Sequence, residues 1–181
     1  MNSLVIDMTH GGVKIAVSLA KKDETVYAYD IYNTLKSVDK KMLAVYNVKV
    51  IDLDYLKNLN GNLRVIYPVH LPLTKRDIEK YNPSLNYTFL THHEIIKELL
   101  KNWGNDIPKI EVTGVKGKTS CVFMLKEILI DKNPLILSSL GALLYENGVK
   151  KTLKQNISIT PANIKETIDL AYKIANPVCE I

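Results

Sequence analysis

Residues 110–120 read Ile-Glu-Val-Thr-Gly-Val-Lys-Gly-Lys-Thr-Ser, and Cys121 to Ile130 then repeat apolar side chains at helical spacing. An apolar strand (Ile110, Val112), a glycine turn and a helix start follow one another without a gap. That order fixes an α/β unit whose turn lies at the C-terminal edge of a sheet. Gly114 and Gly117 let the backbone curl so that successive N–H groups face inward on an anion. Lys118 adds a point charge for β/γ-phosphates, and Thr119 adds a hydroxyl for Mg²⁺. The following helix turns its N-terminal partial charge to the same place. Gly114, Val115, Lys116, Gly117, Lys118, Thr119 and Ser120 therefore form the candidate nucleotide cradle.

The spacing is shorter than the common phosphate loop. Only two residues separate the glycines, giving T-G-x-x-G-K-T-S rather than G-x-x-x-x-G-K-[ST]. This short form resembles the ATP site of the Mur ligase superfamily. Val112 to Ser120 is similar to the Mur-ligase-like synthetases that complete the nickel tetrapyrrole coenzyme F(430). Three further stretches carry the same resemblance: Ile6 to Gly12, Tyr67 to Leu73, and Thr91 to Glu94. The resemblance implies ATP and Mg²⁺ as cofactors, and activation of a substrate carboxylate as an acyl phosphate with release of ADP. The substrate it implies is an anionic small molecule, a nickel-containing seco tetrapyrrole whose carbocyclic ring is then closed. It also implies a glutamate ligand for Mg²⁺ at the end of the strand after the cradle's crossover, near Glu180.

Ahead of the cradle, short strands at Leu4–Ile6, 26–31, 48–51 and 64–67 alternate with helical stretches at Val13 to Lys21 and 35–44, the latter capped by Asn33-Thr34. That alternation predicts a parallel sheet with right-handed crossovers. Residues 68–90 bear proline and asparagine, with one short helix at Lys75 to Lys80, and Thr91 and Glu94 form a capping box for a helix from His92 to Trp103. The glycine- and proline-punctuated stretch Asn102 to Pro108 is the expected linker, with a boundary at about residue 106. Beyond the cradle helix come a strand at Pro134 to Ser138, a hairpin turning at Asn147-Gly148, a helix led by Pro161 and an opening strand at 177–181.

The fold expectation is thus a Rossmann-like substrate-binding domain (1–105) followed by the N-terminal part of a Mur-type P-loop ATPase domain (107–181). The superfamily has three domains. By resemblance the chain would be inactive alone, as a fragment or as half of a split enzyme with a separately encoded C-terminal half. A Mur-like amide ligase acting on an archaeal cell-wall peptide is the rival reading.

Outside the cradle, Asp7 and Asp30 end adjacent strands, where open α/β sheets bind ligands, though aspartates at strand ends also serve as turn-formers. His10 precedes a helix N-terminus beside Gly11 and Gly12, and His70 follows the fourth strand. These six are the candidate substrate contacts. His92 and His93 point about 100° apart on a helix and suit capping better than a shared metal.

The net charge of +5 comes almost wholly from lysine, with Arg64 and Arg76 the only arginines. The lysines are scattered and lack interleaved aromatics, so no nucleic-acid module is expected. No apolar run is long enough to span a membrane. Two cysteines, Cys121 and Cys179, are too few for a disulfide framework, which makes the cytoplasm the expected location.

Overall fold

The computed structural model describes residues 1–101, 107–175 and 179–180. The chain divides into two compact units, Met1–Lys101 and Asn102–Ile181. The boundary expected near residue 106, and most of the expected linker, lie outside the described residues.

The first unit is built on five strands: β1 (Asn2–Ile6), β2 (Thr25–Tyr29), β3 (Lys49–Val50), β4 (Asn62–Tyr67) and β5 (Asn86–Thr91). They pair in the order β3-β2-β1-β4-β5, all parallel. This is the doubly wound, Rossmann-like order, with its switch point between β1 and β4. Leu4-Val5-Ile6 is wholly buried because the central strand is covered on both faces. On one face α1 (Val13–Ala20), α2 (Ser37–Val45) and α4 (His92–Leu99) pack, with Ile15, Ala16, Leu19 and Ile95 at most 1% exposed. On the other, Leu4, Ile6, Leu63 and Val65 meet Leu53 and Leu56 of a 3-10 turn and Ile78 of the short α3 (Lys75–Glu79).

Three local expectations need correction. The helix expected over 35–44 begins at Ser37, capped by the Lys36 backbone. Asn33 instead sits at φ 52° in a turn, and the Thr34 hydroxyl is drawn to Asp30. The helix expected to reach Trp103 is described only to Leu99, and its capping box at Thr91 and Glu94 is present. Strand β5 lies inside a stretch that reads as irregular: its asparagine- and threonine-bearing sequence hides an edge strand whose Tyr87 and Phe89 stack at 5.8 Å.

The second unit has a four-stranded sheet in the order β8-β7-β6-β9. β6 (Pro134–Ser138), β7 (Gly141–Glu146) and β8 (Val149–Gln155) are antiparallel neighbours. β9 (Cys179–Glu180) runs parallel to β6, pairing with Pro134 and Leu135. The β7–β8 turn places Asn147 and Gly148 at φ 50° and 76°, the left-handed pair a tight hairpin requires. α5 (Lys118–Ile128) packs Val122 on Ile136, Leu143 and Tyr145. α6 (Pro161–Ile174) begins with Pro161 and is capped by the Thr160 hydroxyl on the Asn163 amide.

The apolar strand expected at Ile110 and Val112 is absent. Residues 110–112 are irregular backbone that follows a single bridge position at Lys109 and joins neither sheet, although Val112 packs against the core cluster around Ile136 of β6.

Candidate functional site

In the second unit both glycines of the turn take positive φ. Gly114 lies at φ 143° and Gly117 at φ 77°. An added Cβ at Gly117 would meet nothing within 4 Å, so the backbone angle, not space, requires glycine there. Gly117 stands at the N-cap of α5, and the Cys121 amide donates to the Gly117 carbonyl at 2.9 Å. The amides of Lys118, Thr119 and Ser120 lie ahead of that ladder, where a helix leaves its donors without intrahelical partners. Lys118 folds back so that its Nζ donates to the Gly114 carbonyl at 2.5 Å, across the mouth of the turn. Val115, at the tip, is 94% exposed.

Lys118 and Thr119 line a cavity of about 570 Å³. Sequence reasoning did not foresee that Ser138 and Ser139, at the C-terminal end of β6, and Ile159, ahead of α6, line the same cavity. Two adjacent serines at a strand's C-terminal end were the available signal, since that edge is where such sheets take ligands. Glu180 is placed only by its backbone, in β9 opposite Leu135, three positions short of Ser138 along β6.

In the first unit the structure brings Asp7, His10, Gly11 and Gly12 together and places Asp30 and His70 on neighbouring loops. Asp7 is fully buried and sits at φ 71°, ψ 96°, a conformation that costs a non-glycine residue roughly 1–3 kcal/mol. Its carboxylate accepts from the Thr9 amide at 2.9 Å, the His10 amide at 3.4 Å and the His10 ring Nδ1 at 2.6 Å. Gly12 is forced by crowding: a Cβ there would stand 2.1 Å from the Asp7 carbonyl oxygen. His10 is 63% exposed at the side chain, with Tyr32 edge-on at 6.1 Å.

Asp30 is engaged within its own loop, accepting from the Leu35 amide at 2.7 Å and the Thr34 hydroxyl at 3.3 Å. Thr34 shares a further hydrogen bond with Thr9 at 2.5 Å, which ties the β2 loop to the β1 turn. His70 is exposed in a turn closed by Leu71 N–H to the Pro68 carbonyl at 3.2 Å. His92 corrects the capping expectation. Thr91 and Glu94 cap α4, while the buried His92 ring donates from Nε2 to the Ile6 carbonyl at 3.2 Å. Burial pushes its imidazole below the ordinary range, against the weaker opposing pull of that hydrogen bond. Among the described residues no group of three His, Cys, Asp or Glu side chains is placed to hold a metal, and no helix is long and apolar enough to cross a membrane.

Together these features define an α/β protein with a Rossmann-like first unit and a glycine-turn cavity in the second. No family model matches the chain. It is similar to the coenzyme F(430) synthetase of Methanosarcina acetivorans, 32% identical over 174 residues that cover 88% of this chain and 34% of that protein. It is also similar to the coenzyme F(430) synthetase of Methanocaldococcus jannaschii, 28% identical over 71% of this chain and 31% of that protein. The sequence resemblance to the coenzyme F(430) synthetases thus covers most of the chain. The chain spans about a third of the length of the curated relatives it matches. A murein peptide ligase from Psychrobacter arcticus aligns over 77% of this chain and 28% of its own, at 18% identity and a TM-score of 0.41, too distant to bear on the fold.

Proposed function

We propose that the chain is the substrate- and nucleotide-holding part of an ATP-dependent, carboxylate-activating ligase of the coenzyme F(430) synthetase kind. The observation that carries this reading is the second unit's cavity, lined by Lys118 and Thr119, in a chain whose relatives are synthetases by name. About 570 Å³ lies within the range of small-molecule sites. The donor set also fits a polyphosphate: amides ahead of a helix, two glycines at positive φ, and a lysine whose present partner is a carbonyl oxygen that a phosphate oxygen can replace.

When bound, ATP supplies the phosphoryl group that converts a substrate carboxylate to an acyl phosphate, and Mg²⁺ neutralises charge between the phosphates. Lys118 would exchange the Gly114 carbonyl for a terminal phosphate, and the backbone of 114–120 would hold the remainder. The Thr119 hydroxyl would hold the metal, and Glu180 would complete its shell from β9. Catalysis is then positioning and charge neutralisation by groups fixed beforehand. In the first unit Asp7, His10, Gly11, Gly12, Asp30 and His70 all lie at or just beyond the C-terminal ends of β1, β2 and β4, the edge where open sheets take their ligands. We assign this edge to the substrate, an anionic nickel seco tetrapyrrole whose activated side-chain carboxylate closes the last ring by carbon–carbon bond formation.

Calorimetric titration of the chain with ATP and Mg²⁺ tests the cradle. Lys118→Ala should weaken binding at least about tenfold, the loss of one charge-assisted contact, with an unchanged circular dichroism spectrum. Equal affinity in the two proteins would sink the assignment.

A further inference from the structure

The Asp7–His10 pair does more than close a turn. A buried carboxylate at a strained backbone position spends one oxygen on the Nδ1 of an imidazole that is itself mostly exposed. The second nitrogen, Nε2, is thereby directed away from the carboxylate that holds the ring. With Nδ1–H committed to Asp7, Nε2 is an acceptor when the ring is neutral and a donor when it is protonated.

We propose that Asp7 and His10 form a proton-coupled anchor for a ligand carboxylate at the C-terminal edge of the first sheet. This rests on the reading of the first unit as the substrate-holding part and adds how that unit grips its ligand. The ligand carboxylate accepts from His10 Nε2–H; the ring takes up the proton from water on binding and returns it on release. No bond other than N–H is made or broken. Asp7 is the positioning residue. It fixes the ring through Nδ1 and balances the imidazolium charge.

The neighbouring groups favour this role. Tyr32 stands edge-on to the ring, and Asp30 is engaged with Leu35 and Thr34. His92, from α4, is buried and pushed toward its neutral form, so it does not compete for the proton, and His93 beside it is exposed. Asp7 is the only carboxylate bonded to the His10 ring among the described residues.

Calorimetry of the full chain with uroporphyrin, a nickel-free tetrapyrrole bearing eight carboxylates, tests the anchor. Titrations at pH 6 and pH 8 bracket the ordinary range of an imidazole. Binding should be roughly tenfold tighter at pH 6. Paired buffers of different ionisation enthalpy should show net proton uptake. His10→Gln should flatten the pH dependence and abolish the uptake, while His93→Gln should keep both. Asp7→Asn, checked for folding by circular dichroism, should flatten the slope and remove the Nδ1–H preference of His10 in the imidazole ¹⁵N spectrum. Equal affinity at the two pH values would overturn the proposal, as would a slope that survives in His10→Gln or equal displacement by inorganic phosphate. If the wild-type chain fails to bind uroporphyrin while still binding ATP, the anchor falls and the nucleotide assignment stands.

Discussion

Arg64 shows at the scale of one residue how this fold commits a rare side chain. It is one of two arginines and is buried in the middle of the first unit, where β4 lies beside Ser3 of β1. Its guanidinium reaches Glu24 at 2.6 Å, Glu98 at 3.3 Å and the Ser3 hydroxyl at 3.3 Å, tying two strands to the end of α4. A lysine offers no planar fork to meet three acceptors at once. Removing one partner of a buried pair leaves the other charged and desolvated, so Arg64→Leu should destabilise the protein by about 3 kcal/mol, read as a lower urea midpoint. Arg64→Leu combined with Glu24→Leu should recover part of that loss. A near-neutral single mutant would show the network to be solvated.

His92 sets a pH dependence of the same sense as a carboxylate held below its ordinary value, but nearer neutral pH. Its folded-state imidazole is pushed below the ordinary value by burial, so the unfolded chain binds the extra proton more readily. Stability is therefore full above the unfolded-state value near 6.5 and falls as pH drops through it toward the lower folded value. Urea midpoints measured at pH 7.5 and 5.5 should decline toward acid. The decline should be smaller in His92→Gln, which keeps a donor for the Ile6 carbonyl but carries no titrating group. An unchanged decline in that variant would remove His92 as its source.

Among the elements, α4 is held at its start by a reciprocal cap. The Thr91 hydroxyl accepts from the Glu94 amide at 3.2 Å, and Glu94 returns a bond to the Thr91 amide at 2.6 Å. Thr91→Ala should cost about 1 kcal/mol in chemical unfolding, while Thr91→Ser should cost almost none. A larger loss would mean that Thr91 also serves the end of β5. This cap was legible because its residues are four consecutive positions with a local rule. So were α1, the Asn147-Gly148 hairpin and the Pro161 helix, each fixed by a neighbouring side chain or a required φ. What could not be read depends on partners distant in sequence. Residues 110–112 have strand composition but join neither sheet. β5 pairs with β4 and alternates Tyr87 and Phe89 with Asn86 and Thr88, but it follows directly on a proline- and asparagine-bearing run that masks it. The cradle half formed by Gly114 to Ser120 is contiguous and could be read directly. The cavity lining of Ser138, Ser139 and Ile159 is assembled by β6 and the segment before α6, and only the fold brings these to Lys118. The Asp7–His10 bond lies between the two, since both residues were candidates while their joining depends on a positive φ at an aspartate.

For the whole molecule, binding and turnover should separate. The chain spans about a third of the length of the synthetases it matches. What it contains is a glycine turn whose lysine is parked on a carbonyl, a cavity lined by that lysine, and a first sheet with polar groups at its C-terminal edge. A ligation needs more than holding. The activated carboxyl must meet its acceptor in near-attack geometry with water kept out, and in enzymes of this chemistry that arrangement is completed by closure of further protein around the nucleotide. We therefore expect the 181-residue chain to bind ATP and Mg²⁺ but to release no ADP in steady state above a Lys118→Ala control, with or without the nickel seco precursor. Supplying in trans the part of the Methanosarcina acetivorans synthetase that this chain does not cover should restore Lys118-dependent ADP release when the precursor is present. Steady ADP formation by the chain alone would contradict this division and identify a smaller, self-sufficient nucleotidase, in which the cavity wall at Ser138 and Ser139 would be the first place to seek the residue that orients the attacking water.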